Sequence, residues 1–224
     1  MMTVRRREHA AYLLRDYPNA MRIRVRSMRG RVPRRWRHGD RRPVVLIPGV
    51  YETWHFLRVI GDALNERGHP VHTVPALGIN RLPIPASAEI VARRLAERDL
   101  RGVALVAHSK GGLIGKQLMT RDAGDRVDRL IAVATPFGGS RMARLTPWPA
   151  MRAFLPGDDV IRALGATREI NRRVTSIYPR FDPNIPEGSR LDGAANVEIP
   201  VIGHFRILVE PATVAAVVAA VEQD

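Results

Sequence analysis

The stretch VALVAHSKGG (residues 103–112) runs five apolar residues into Ala107-His108-Ser109-Lys110-Gly111 and then into a helical pattern. A serine thus stands between small residues where a strand stops and a helix starts. A turn that tight brings backbone against backbone, so the positions two before and two after the serine must be small. Here they are Ala107 and Gly111. The same geometry lifts the Ser109 hydroxyl out of the sheet top, points the helix N-terminus at it, and frees the Lys110 N–H to meet an oxyanion. The competing reading is an ordinary serine N-cap on a βα turn. The strand before and the helix after are what make the small-x-Ser-x-Gly pattern informative.

Working outward, VVLI (44–47) is a short unalternating β-branched run, as suits a parallel strand buried on both faces. Residues 53–67 read as helix with Gly68 at C′. HPVHTVPA (69–76) supplies a second strand, and residues 86–99 a helix with Ile90, Val91, Leu95 and Ala96 on one face. VALVA (103–107) is the third strand and Lys110 to Arg121 the next helix. LIAVATP (130–136), VTSIY (174–178) and NVEIPVI (196–202) are further strands, and the tail from Pro211 is a closing helix with proline in its first turn. Strands alternating with 10–15-residue helices predict an α/β fold: a mostly parallel sheet with helices on both faces. Function in such sheets sits at the carboxyl ends of the strands.

Upstream, residues 3–17 read as a short helix capped by Thr3, MRIRVRSM (21–28) as a period-two strand, and residues 29–43 as loop. This gives a basic N-terminal segment (1–43) followed by one domain (44–224). Of the formal net charge of +14, residues 1–42 carry +11, from 14 Arg against Glu8, Asp16 and Asp40. Either this arm meets anionic lipid or nucleic acid, or it is a solvated face in a chain that has only two lysines. No recognition motif for nucleic acid accompanies it, so no specific nucleic-acid partner is expected. The chain has no cysteine, which excludes disulfides, thiolate metal sites and a cysteine nucleophile. No run approaches the roughly 18 apolar residues of a membrane span. The Arg-rich start has too short an apolar stretch, Ala10 to Leu14, for a signal peptide. A cytoplasmic protein is expected.

Three further segments fall at strand ends. VVLIPGVYETW (44–54) puts Val50 where its N–H can form the second half of an oxyanion hole, with Lys110 as the first. ATPFGGS (134–140) ends the fourth strand, and GHFRIL (203–208), with His204, follows the last. Together with the serine turn, which matches the G-x-S-x-G nucleophile elbow, these resemble the α/β-hydrolase superfamily, in its bacterial lipase and esterase branch, from about residue 44 to the C-terminus. The first elbow glycine is Ala107 here, as in some small bacterial lipases.

The resemblance implies a triad in the order Ser, Asp, His and a cofactor-free, metal-free hydrolysis of a carboxylic ester, small-molecule or lipid. Ser109 and His204 take their places, with His204 preferred over His9, His38, His55, His69, His72 and His108 by order and position. The acid belongs in the loop after the strand that follows ATPFGGS. Asp182 lies there and Asp192 is the reserve; Asp158 and Asp159 read as helix caps. The resemblance also places a lid or cap at residues 141–172, where Met142, Leu145, Trp148, Met151, Phe154 and Leu155 suit a lipid-facing cover or a helix packed on the sheet. The Lys110 side chain either meets an anionic substrate group or points to solvent. Two other functions remain open: acyl transfer by the same triad, and a non-catalytic scaffold that binds anionic partners through its arginines.

Overall fold

The computed structural model describes residues 30–223. The helix expected over 3–17 and the strand over 21–28 lie outside the described residues. Six strands form one sheet: β1 (Val44–Ile47), β2 (Val71–Thr73), β3 (Val103–His108), β4 (Val127–Val133), β5 (Val174–Phe181) and β6 (Ala195–Ile202). Their order is β2-β1-β3-β4-β5-β6 and every pairing is parallel. The chain leaves β1 toward one edge and returns to pair β3 on its other side. The crevice at the carboxyl ends of β1 and β3 is therefore the switch point, the place where open parallel sheets bind ligands.

The helices are α1 (Arg58–Glu66), α2 (Ile84–Glu97), α3 (Lys110–Met119), α4 (Pro149–Arg152), α5 (Asp159–Ala166) and α6 (Pro211–Glu222). The sheet separates two apolar clusters. Val45, Ile47, Leu105, Ala107, Leu130 and Ala132 face α2, α3 and α5. Their strand neighbours Val44, Leu46, Ala104, Val106, Ile131 and Val133 face α1 and α6. This is why β1 and β3 read as continuous apolar runs: alternate residues point to opposite faces, and both faces are covered.

The helix expected over 53–67 begins as a 3₁₀ turn, Trp54–Leu57, before α1. It ends as expected, with Gly68 at φ +88° just beyond the cap and its N–H on the Asn65 carbonyl. In α2 the buried face is Ile84, Ser87, Ala88, Val91 and Leu95, and Ala96 is exposed. The helix starts two residues earlier than expected, and the stripe at i, i+3, i+4, i+7 and i+11 follows from that start. β4 likewise starts three residues early and stops at Val133, because Ala134 turns to φ 48°. Within the stretch expected as loop, Arg34–Arg37 forms a 3₁₀ turn whose Trp36 is fully buried and donates to Asp62 Oδ1 at 2.8 Å. A Cβ on Gly61 would strike this indole, so α1 approaches it through a residue without a side chain. Arg35, Arg41 and Arg42 pair with Asp62, Glu222 and Asp128.

The segment 141–172 divides in two. Ile161 and Leu164 of α5, with Ala143, Phe154 and Ile170, pack into the core, and the Asp158 carboxylate caps α5 by accepting the Val160 N–H at 2.9 Å. Between these, Leu145 and Trp148 stand 75% and 57% exposed. Among the described residues no helix is long and apolar enough to cross a membrane.

Candidate active site

Ser109 sits between β3 and α3 at φ 51°, ψ −119°. A residue with a Cβ held at positive φ carries strain of order 1–3 kcal/mol, sustained only where surrounding contacts dictate it. Those contacts come from β4 and the turn that follows it. The Ser109 N–H donates to the Val133 carbonyl at 2.9 Å, and Thr135 Oγ1 donates to the Ser109 carbonyl at 3.0 Å. The Ser109 side chain caps nothing on α3, and its φ is not that of an N-cap. The ordinary-cap reading is thereby set aside. The need for small neighbours is also plain: a Cβ on Gly111 would collide with the Ile47 carbonyl, and one on Gly112 with Thr135. The elbow thus rests directly on the end of β1, beside the loop that carries Val50.

That loop is a turn in which the Glu52 N–H donates to the Gly49 carbonyl at 3.3 Å, with Tyr51 at φ 59°. The Glu52 carboxylate closes it by accepting the Gly49 N–H at 2.9 Å. The donor at Gly49 is therefore spent inside the turn, and Val50, half-buried, lies between the two anchored residues.

His204 and Asp182 follow β6 and β5, which are neighbours, and the Gly203 N–H donates to the Phe181 carbonyl at 3.1 Å to bring the two loops together. His204 Nδ1 lies 2.7 Å from Asp182 Oδ2, both side chains being 5% exposed or less. A carboxylate oxygen accepts, so Nδ1 carries the proton and the ring is held in that tautomer. Asp182 is itself oriented, its Oδ1 accepting the Asn184 and Ile185 N–H groups at 2.8 and 3.2 Å. Asp192, the reserve acid, is exposed on the loop before β6, where its carbonyl accepts from Asn171.

The other histidines are accounted for elsewhere. His55 stacks on Trp54 and bonds the Gly30 carbonyl at 3.1 Å, with burial lowering its pKa. His69 Nδ1 donates to the Arg42 carbonyl. His72 is lowered by burial and by Arg94 and Arg98. His38 is exposed, and His9 lies outside the described residues.

Lys110 departs from both expectations for its side chain. It is 1% exposed, and its ammonium donates to the Asn80 carbonyl at 2.8 Å, to Asn80 Oδ1 at 3.2 Å and to the Leu82 carbonyl. Burial pushes its pKa down to about 8. Neither solvent nor an anionic substrate group receives this cation; it staples the loop after β2 to the elbow. Asn80, at φ 51°, completes the staple by donating Nδ2 to the Pro48 carbonyl at 2.6 Å. Asn80 and Glu52 are the residues that sequence reasoning missed, since each acts across more than 25 residues of chain and neither belongs to a local pattern.

Among the described residues no cluster of three or more His, Asp or Glu is arranged to hold a metal ion. No protein-family model matches the chain, and no curated protein matches it in sequence. Solved structures do. A mature-form lipase of Bacillus licheniformis superposes with a TM-score of 0.64 over 82% of this chain and 94% of its own, at 17% identity. Lipase B of Aspergillus fumigatus gives 0.68 over 87% of this chain at 20% identity, this chain spanning 56% of it. A monoacylglycerol lipase of Paleococcus ferrophilus gives 0.61 over 82% of this chain and 95% of its own, at 15% identity. The all-parallel sheet, the strained serine turn after β3 and these likenesses lead to one statement: the chain has the α/β-hydrolase fold that these lipases share.

Proposed function

We propose that the protein is a serine hydrolase of carboxylic esters, with Ser109 as nucleophile, His204 as general base and acid, and Asp182 as the group that orients the imidazole. The observation that carries this reading is the buried His204–Asp182 pair, 2.7 Å between Nδ1 and Oδ2, on loops beside a serine held at φ 51°. A serine hydroxyl is a poor nucleophile near neutral pH. His204 takes its proton as Oγ attacks the acyl carbon, then returns it to the leaving alkoxide. The resulting acyl-enzyme is cleaved by water, activated by the same imidazole. Asp182 keeps the proton on Nδ1 and stabilises the imidazolium that forms. The Val50 and Lys110 N–H groups receive the oxyanion, a contribution of roughly 3–4 kcal/mol per donor where one has been removed from a protease.

The rim supports an ester with an apolar acyl group. Ile79 and Leu82 follow β2, and Leu145 and Trp148 follow β4; all four are exposed at the carboxyl edge of the sheet. Trp148 packs edge-on against Tyr51 of the loop carrying Val50, ring centroids 5.6 Å apart. From Arg141 to Gly157 the charged residues are arginines alone, and Arg144 and Arg152 are exposed beside Leu145 and Trp148. That charge favours esters presented at anionic lipid surfaces, with residues 141–153 as the cover over the site.

The test is intact-mass analysis after treatment with a small fluorophosphonate. The expected result is a single adduct on the wild type and none on Ser109→Ala. A folded wild type that takes no adduct refutes the reading.

A further inference from the structure

Glu52 and His108 are 3% and 0% exposed, and neither has a part in the chemistry proposed above. His108 Nδ1 lies 2.8 and 2.9 Å from the two Glu52 oxygens, and its Nε2 lies 3.1 Å from the main-chain oxygen of His204. A carbonyl oxygen only accepts, so Nε2 bears a proton, and a second proton is shared between Nδ1 and the carboxylate. Glu52 Oε2 also accepts the Gly49 N–H. One chain of hydrogen bonds therefore runs from Gly49 through Glu52 and His108 to the main chain of His204. It joins the loop after β1, the last residue of β3 and the loop after β6.

These three segments carry Val50, Ser109 and His204, and they are otherwise far apart in the chain. A buried carboxylate and imidazole carry a desolvation cost that apolar side chains in the same space would not incur. The His108 ring lies beside Phe205, centroids 5.8 Å apart, and Phe205 packs on the cluster that contains Val133 and Phe56. What the polar pair does and an apolar pair would not is fix main-chain positions on both sides of the serine. Asp182 holds the His204 ring at Nδ1; the bond from His108 holds the backbone that the ring hangs from.

We infer that Glu52 and His108 are positioning residues, a buried clamp that sets the spacing between the Val50 N–H, Ser109 and the His204 imidazole. The inference rests on the hydrolase reading. It differs from simple core packing in one consequence: breaking the clamp lowers the rate of the chemical step in molecules that remain folded. Misplacement of reacting groups by about 1 Å costs on the order of 10²-fold in rate.

The experiment compares Glu52→Met, Glu52→Gln and the double variant Glu52→Met/His108→Leu with wild type. The readouts are kcat and KM on p-nitrophenyl acetate, the rate of Ser109 phosphonylation, and thermal unfolding. Glu52→Met has similar volume and no acceptor. Its expected kcat and phosphonylation rate fall about 10²-fold, with KM within about threefold. Glu52→Gln restores most of the rate, because its carbonyl accepts from Gly49 while its amide donates to a neutral His108 Nδ1. The double variant leaves no orphaned imidazole, so it keeps its fold. It is no slower than Glu52→Met, because both break the same chain. Wild-type rates in a folded Glu52→Met or double variant overturn the clamp and leave the hydrolase reading standing, and so does a Glu52→Gln as slow as Glu52→Met. A wild type that neither labels nor hydrolyses overturns the hydrolase reading, and the clamp with it.

Discussion

The floor of the candidate site and the segment proposed as its roof are built on opposite principles. On the floor, Glu52, His108, Ser109, Lys110, Asp182 and His204 are all 7% exposed or less. Apart from the Ser109 hydroxyl, each of these side chains is tied to a neighbouring loop by hydrogen bonds. On the roof, Leu145 and Trp148 are mostly exposed, and the Trp148 ring meets Tyr51 edge-on. Polar groups in the interior must be paired and therefore hold one geometry. Apolar groups in water carry no such constraint. Fixed geometry is thus concentrated around Ser109 and His204, and latitude at the exposed apolar segment.

Three substitutions sharpen this contrast, in decreasing order of effect. On the floor, Asp182→Asn preserves shape but removes the charge that fixes the His204 tautomer. A fall in kcat of about 10⁴-fold with little change in KM is expected, measured by steady-state hydrolysis of a short-chain ester. A fall of less than about tenfold would contradict the role given to the pair.

The second concerns a buried charge farther along α3 that is not part of the chemistry. Lys116 of α3 is 1% exposed, with its ammonium 5.9 Å from the centre of the Phe137 ring, and burial pushes its pKa down to about 8. The unfolded chain holds that proton up to the ordinary lysine value of 10.5. Between about pH 8 and 10.5 the unfolded state binds more protons, so this residue's penalty is full below pH 8 and fades as pH rises through that window. Lys116→Met should therefore stabilise the protein by up to about 3 kcal/mol at pH 7, and by much less at pH 10. Urea unfolding of both proteins at the two pH values checks this; an advantage independent of pH would place the gain in packing instead.

The smallest effect belongs to the roof. Trp148→Ala should leave the unfolding free energy within about 0.5 kcal/mol of wild type, as exposed positions do. Its signature is a KM raised several-fold for long-chain esters and unchanged for acetate. A large loss of stability would show that the roof is as tightly built as the floor.

How far the residues speak for themselves varies along the chain. β1 was legible to the residue because its apolar run is too short for a buried helix and Pro48-Gly49 ends it. The serine turn was legible because its steric demand falls on neighbours in sequence: Gly111 must clear the Ile47 carbonyl. The start of β4 was not, since Asp128 and Arg129 look like loop until their bonds to each other and to α6 are seen. Asp182 was preferred over Asp192 by its loop alone; the contact itself came from the fold, where the parallel pairing of β5 with β6 carries Asp182 to His204.

By itself, then, the sequence determined the alternation of strands and helices and the serine turn, because each depends on residues near in the chain. Tertiary structure alone decided that Lys110 turns inward to Asn80, that Trp36 belongs to the core, and that Glu52 meets His108 across 56 residues. The reason is physical. Local sterics and hydrophobic period are written in neighbouring residues, whereas the partner of a buried polar group is chosen by whichever acceptor the fold brings within about 3 Å.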